Sequence, residues 1–145
     1  MLNIKKAYAN LKKYMEKKFV NCKIEGDTSR KDFYSIGMHT IYNNVEMFVA
    51  VALLELGEVV FSTTLGEIER TEETLSLIND FNAKTISLYV FINEEGKLEF
   101  RNNTYCNDAS LLKTYLGKTL IHIVSLIESK KDKEFVKLLK IFSAV

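Results

Sequence analysis

Few side chains in this chain could take part in catalysis. There are two cysteines, Cys22 and Cys106, and two histidines, His39 and His122, so each thiol could pair with an imidazole as nucleophile and base. Neither cysteine lies in a local signature of a cysteine hydrolase. We therefore predict no catalytic residues and a protein that is not an enzyme, with His39 as an ordinary sheet residue and His122 at a helix interface.

The sequence also lacks the motifs that hold metals or phosphate groups. The acidic stretch GEIERTEE, residues 66–73, does not alternate oxygen ligands around a turning glycine as a calcium loop does. The positive end of a helix dipole accounts for Glu72 and Glu73 without a metal. Phosphate-loop, dinucleotide-binding, zinc-protease and hydrolase-elbow motifs are absent. We predict no metal ion and no cofactor.

The bulk composition is that of one globular domain. The chain has 145 residues, 47% hydrophobic and 27% charged, which predicts a single domain over residues 1–145. A net charge of +1 gives no electrostatic reason to expect a nucleic-acid partner. The two cysteines lie far apart in the sequence, which suggests reduced thiols. The N-terminal stretch MLNIKKAYANLKKYM interleaves lysines with apolar residues and so lacks the apolar core of a signal peptide. No apolar run has the length of a membrane span. A cytoplasmic protein without a membrane partner is expected.

Hydrophobic periodicity predicts the element order α-β-β-β-α-β-β-α. Apolar residues recur every three or four positions in residues 4–19, 70–84 and 108–127, whereas residues 33–61 and 85–101 alternate with a period of two. This order favours an α+β domain with a five-stranded, mostly antiparallel sheet packed on helices. The crossover through the middle helix could pair two strands in parallel. A further C-terminal helix is predicted from Phe135, Leu138, Leu139 and Phe142.

The strand from Val45 to Leu54 is apolar on both of its faces, apart from Glu46. Asn43 and Asn44 predict a two-residue hairpin turn before it, which places Tyr42 opposite Val45. The face that carries Val45 is uniformly bulky and is assigned to the core. The stretch EGDTSRKD, residues 25–32, comes before the first predicted strand and is typical of a loop.

The second face of this sheet is predicted to bind a partner. A turn at Leu56 and Gly57 would place Phe61 opposite Ala52, on the second face, and the later hairpin turns its aromatic residues the same way. Exposed apolar patches of this kind mark association sites. The predicted partner interface consists of Phe48, Leu54, Val59, Phe61, Tyr89 and Phe91. The alternative is that the C-terminal helix, Phe135 to Phe142, covers this face within the same chain.

The order of elements resembles the type III secretion chaperone-like fold. The segment TLSLINDFNAKTISLYVFINEEGKLEFRN, residues 74–102, is similar to the YbjN family of bacterial proteins, in which a helix leads into a strand and an acid-glycine hairpin. The resemblance implies a non-catalytic protein, often dimeric, that binds other polypeptides along its sheet or helices. It implies no particular functional residues.

Three functions follow from these patterns as hypotheses. The first is a chaperone-like or regulatory module that binds a polypeptide or forms a homodimer through the apolar sheet face. The second is an inhibitor of a host protein, encoded by a phage or mobile element, which the lysine- and asparagine-rich composition permits. The third is a small enzyme or ligand binder with a cleft around His39, Cys22 or Cys106.

Overall fold

The computed structural model describes residues 2–42, 44–85, 88–106, 108–129 and 137–138. Its helices are α1 (Ile4–Lys18), α2 (Glu72–Lys84) and α3 (Leu112–Ser129), the last preceded by a short 3-10 turn at Ala109–Leu111. Its strands are β1 (Lys23–Asp27), β2 (Phe33–Tyr42), β3 (Val45–Leu54), β4 (Glu58–Glu67), β5 (Tyr89–Ile92) and β6 (Lys97–Tyr105).

The strands form one six-stranded sheet in the order β1-β2-β3-β4-β6-β5, and every neighbouring pair is antiparallel. The predicted α+β class is therefore confirmed, but the predicted strand count of five is wrong by one. The additional strand is β1, which overlaps the segment predicted as a loop and pairs Asp27 with Ser35. An edge strand that is short, charged and interrupted by Gly26 carries almost no apolar alternation, so its pattern resembles that of a loop.

The crossover through α2 does not create a parallel pair among the described strands. It connects β4 to β5, and β6 lies between these two strands, antiparallel to both. β4 and β5 therefore run in the same direction without touching, which is the split β-α-β arrangement.

The hairpin between β2 and β3 has the predicted register, with Tyr42 opposite Val45. Asn44 adopts a positive φ of 64°, which asparagine tolerates better than most residues. The bulky face of β3 is buried as predicted. Val45, Met47, Val49, Val51 and Leu53 are all in the core.

Two clusters of buried side chains lie on the same side of the sheet. In the first, α1 contributes Ala7, Leu11 and Met15, and α3 contributes Leu112 and Leu116, against the centre of β2, β3 and β4. In the second, Ile78 and Phe81 of α2 pack on Val90, Leu98 and Phe100 of the last two strands. All three helices thus cover one face of the sheet.

Helix α2 begins as predicted. Thr71 is its N-cap and accepts a hydrogen bond from the Thr74 backbone N–H, while Glu72 and Glu73 occupy the first turn. Leu75, one of the apolar residues that give residues 70–84 their helical period, is 38% exposed. Thr74 is buried in its place, because i and i+4 share a face of a helix and Thr74 stands four residues before Ile78.

The predicted C-terminal helix lies mostly outside the described residues, and so do Phe135, Leu139 and Phe142. Leu138 is described and fully buried, in the second cluster together with Ile123 and Met47. This side chain therefore packs on the helix side of the sheet and not on the opposite face.

Candidate functional site

Two of the six residues predicted to contact a partner are buried in the core. Val59 is 0% and Phe61 is 1% exposed. Val59 pairs with Leu53 and Phe61 pairs with Val51, so both side chains point to the helix side. The prediction that they belong to the partner surface is wrong.

The cause is one additional residue in the β3–β4 loop. Glu55, Leu56 and Gly57 form a three-residue loop, in which Gly57 has a positive φ of 90° and its N–H donates to the Leu54 carbonyl at 2.9 Å. A two-residue turn at Leu56 and Gly57 had been predicted. Because side chains alternate between the faces of a strand, this shift of one residue moves every side chain of β4 to the other side.

The other four predicted residues lie on the face opposite the core clusters, which we call the open face. Phe48 and Leu54 of β3 and Phe91 of β5 are half-buried there, and Tyr89 is 42% exposed. None of the four belongs to either core cluster of the described residues. The corrected register adds Val60, which pairs with Ala52 and is half-buried.

Phe48 is held in place by the sheet itself. A Cβ added to Gly37 would lie 2.3 Å from the tip of the Phe48 ring, so the ring extends across the glycine on the neighbouring strand. The His39 ring lies beside it, with centroids 4.7 Å apart. The absence of a side chain at Gly37 therefore provides the space that orders an aromatic ring on a face that none of the described helices covers.

A second aromatic group lies at the other end of the open face. Tyr89 and Phe91 are stacked with centroids 5.8 Å apart, and the Arg101 guanidinium lies 4.8 Å from the Phe91 centroid. Arg101 is fixed by a salt bridge of 2.7 Å to Glu99, whose carboxylate also accepts from the Asn93 amide at 3.2 Å. The sequence pattern does not indicate the salt bridge between Glu99 and Arg101, because it depends on side-chain geometry.

Between the two aromatic groups the open face forms a groove with a volume of about 990 Å³. Phe48 and His39 line it near β2, and Glu99 lines it near β6. Its rim carboxylates are mostly neutralised: Glu25 lies 2.9 Å from Lys23, which lowers the pKa of Glu25 through a hydrogen bond and its positive charge. The groove is therefore lined by polar and ion-paired side chains as well as apolar ones, and the aromatic groups at its two ends supply apolar contact.

Both edges of the sheet are protected against the addition of another strand. On β5, the Asn82 side chain of α2 donates to the Val90 carbonyl and accepts from the Val90 N–H, both at 2.8 Å. The Arg70 guanidinium reaches the Ile92 carbonyl of the same edge at 3.4 Å. On the other side, β1 is short and charged. These are the means by which proteins discourage pairing at a sheet edge.

Of the residues considered for catalysis, Cys22 and His39 both line the groove, whereas Cys106 and His122 lie elsewhere. Cys106 is buried with its thiol directed to the Asp108 carbonyl, and Cys22 packs at the margin of the first core cluster. His39 contacts Phe48 on the open face, whereas His122 belongs to α3 on the other side of the sheet. Among the described residues, no group of three or more histidine, cysteine or acidic side chains could hold a metal ion.

No protein-family model, no curated protein and no solved structure matches this chain. The resemblance to the YbjN family therefore stays a prediction. In the part of the chain that the structure describes, no helix combines the length and the apolar character needed to cross a membrane.

Proposed function

We propose that this protein is a non-catalytic module, chaperone-like or regulatory, that binds a polypeptide across the open face of its sheet. The observation that carries the proposal is the asymmetry of the sheet. One face supports all three helices, and the other presents Phe48, Leu54, Tyr89 and Phe91 outside both described core clusters.

The shape of the open face suits a polypeptide. Two ordered aromatic groups stand at either end of a shallow groove, and the half-buried small residues Ala50 and Ala52 of β3 form part of the sheet surface. Small residues allow a partner's backbone to come close, while rigid aromatic rings supply most of the binding energy in protein interfaces. The protected edges favour contact with the face over the addition of a strand.

We also place the protein in the cytoplasm. Its two cysteines are free thiols, one half-buried and one buried. Unpaired cysteines fit a reducing compartment, where polypeptide partners with exposed apolar segments would be available during synthesis or assembly.

Site-specific photo-crosslinking in the native cell tests the proposal. A benzophenone amino acid placed at Leu54 or Tyr89 is expected to crosslink to a recurring polypeptide, because both positions lie on the open face. The matched control is Ile121 on α3, an apolar side chain that is 67% exposed on the helix side. The products are identified by mass spectrometry.

Phe48→Asp provides the second arm of this experiment. A carboxylate at this position would face the partner's apolar atoms, so crosslinking from Tyr89 is expected to fall while the fold, checked by circular dichroism, is retained. Equal crosslinking from Ile121, or none from either open-face position, would contradict the proposal.

A further inference from the structure

A second depression lies on the helix side of the sheet, between α3 and the carboxyl end of α2. Its volume is about 560 Å³, and we call it the cleft. Asn102 and Thr104 of β6 line its floor beside Phe61, and α3 forms one wall. A concave surface with a few convergent polar groups is the usual form of a small-molecule site.

The floor of the cleft is a place where polar side chains replace the apolar residues of the core. Leu98 and Phe100 of β6 are buried, and Asn102 and Thr104 follow them on the same face of the strand. Their partners on β4 are still apolar, since Asn102 lies opposite Phe61 and Thr104 opposite Val59. An apolar residue at either place would extend the core, so the polar side chains are not explained by packing.

The wall of the cleft is a polar stripe of α3. Tyr115, Lys118, Thr119 and His122 are spaced by three and four residues, which places them on one face of the helix. Thr119 is 6% exposed and accepts a hydrogen bond of 3.3 Å from the Asn102 amide, while its own hydroxyl donates to the Tyr115 carbonyl. Helix and strand are thus joined by a polar contact at the base of the cleft.

The charge around the cleft is positive. Lys118 is its single charged side chain, and no carboxylate occurs among the lining residues within the described part of the chain. The imidazole of His122 and the amide of Asn102 add further hydrogen-bond donors. A cation with neutral donors and no competing carboxylate suits an anionic group.

We propose that the cleft binds a small anionic molecule, with a carboxylate or a phosphate group, through Lys118, His122 and Asn102. These three side chains lie on the opposite side of the sheet from the open face, although Tyr89 of the edge strand β5, which belongs to the open face, also lines the cleft. Each of the two proposals can therefore fail without the other.

The two histidines allow one experiment to observe both sides of the sheet. The chain has only His39 and His122, the first on the open face and the second in the cleft. Their ring signals are followed by NMR during separate titrations with inorganic phosphate and with acetate, at constant pH and ionic strength. The expected result is a saturable shift of the His122 signal with at least one of the two anions and no shift of His39. The anion with the stronger effect identifies the group.

Two variants of α3 complete the test. Lys118→Ala is expected to weaken anion binding about tenfold or more, because it removes a charge-assisted hydrogen bond. Lys113→Ala is the matched control: this lysine is exposed on the same helix, and its Nζ lies 5.2 Å from the Tyr14 ring centroid, away from the cleft. Lack of a saturable shift with either anion, equal shifts of both histidines, or equal weakening by the two variants would overturn the proposal.

Discussion

Phe48 and Phe61 lie on neighbouring strands of the same sheet and face opposite sides of it. Phe61 is among the largest fully buried side chains and contacts the cluster built from α1 and α3. Phe48 is half-buried and rests on Gly37 and His39. The same residue type therefore supports the fold in one place and the proposed binding surface in the other.

Truncating these two rings should have very different effects on stability. Phe61→Ala is expected to lower the free energy of unfolding by about 3–5 kcal/mol, because it leaves a cavity in the core. Phe48→Ala is expected to cost about 1 kcal/mol, since its ring packs on the surface of the sheet and its loss leaves no closed cavity in the core. Equilibrium unfolding in urea measures both. Similar losses for the two variants would contradict the register of β3 and β4.

The position of Phe61 depends on the length of the β3–β4 turn, which Gly57 alone does not determine. Gly57 fits the left-handed position of a two-residue turn and of a three-residue loop equally well. The signal that separates the two is Leu56. A two-residue turn of the common type requires positive φ at both central residues, which leucine adopts only with strain. The three-residue loop requires it of Gly57 alone, so turn chemistry favours the observed register.

Among the elements, β5 depends on a side chain for its outer hydrogen bonds. Asn82→Ala is expected to lower the free energy of unfolding by about 2 kcal/mol, since it removes two hydrogen bonds and leaves the Val90 backbone groups without their partner. Native-state hydrogen exchange should show a loss of protection at the Val90 amide. This amide is otherwise protected although β5 is an edge strand.

Asn103→Ala is the control for this prediction. Its amide donates to Glu58 at the exposed surface, with a length of 3.2 Å, and contributes little in water. Unchanged exchange at Val90 in Asn82→Ala, or the same stability loss in both variants, would show that the asparagine does not hold the edge.

The start of α3 should be sensitive to acid. Hydrogen bonds from the Ser110 N–H and hydroxyl hold the pKa of Asp108 below its ordinary value. A pKa lowered by folding means that the stabilisation is present above the unfolded pKa and is lost as the pH falls through the folded value. Wild type is therefore expected to have a higher Tm than Asp108→Asn at about pH 6, and this difference should disappear at about pH 2. A difference that does not change with pH would exclude this role of the charge.

Helices and buried strands could be predicted from the sequence because their apolar residues recur with a clear period. The stripe of α1 and the uniform face of β3 are examples, and both are buried as predicted. β1 could not be predicted, since its charged residues and Gly26 follow no apolar period. The Asn82 contact was equally hidden, because a polar residue on a helix gives no indication of which backbone it reaches.

At the scale of the molecule, the six strands form a single sheet with two separate clusters on one side. The cluster under α1 and α3 and the cluster under α2 leave the cleft between them. The sequence predicted the α+β class and the two-sided apolar strand, which led to the open face. It did not reveal the cleft, because the space between α2 and α3 depends on where the two helices pack on the sheet.

The predicted homodimer can be tested through the same surface. If two copies join through their open faces, the contact is two-fold symmetric and includes each ring twice. Phe91→Asp is then expected to convert a dimer into a monomer, whereas Ile121→Asp on the helix side should leave it intact. Size-exclusion chromatography with light scattering measures the mass. A dimer that survives Phe91→Asp would exclude this interface.

The three-residue loop from Glu55 to Gly57 also limits how this chain can vary through evolution. Leu56 is 80% exposed, so most substitutions at this position should be tolerated. The length of the loop is not free, because inserting or deleting one residue would turn Val59 and Phe61 outward and Val60 inward. When relatives are aligned, gaps should be rare between Leu54 and Glu58 even where the residue types differ. Any insertion or deletion that does occur there should span two residues.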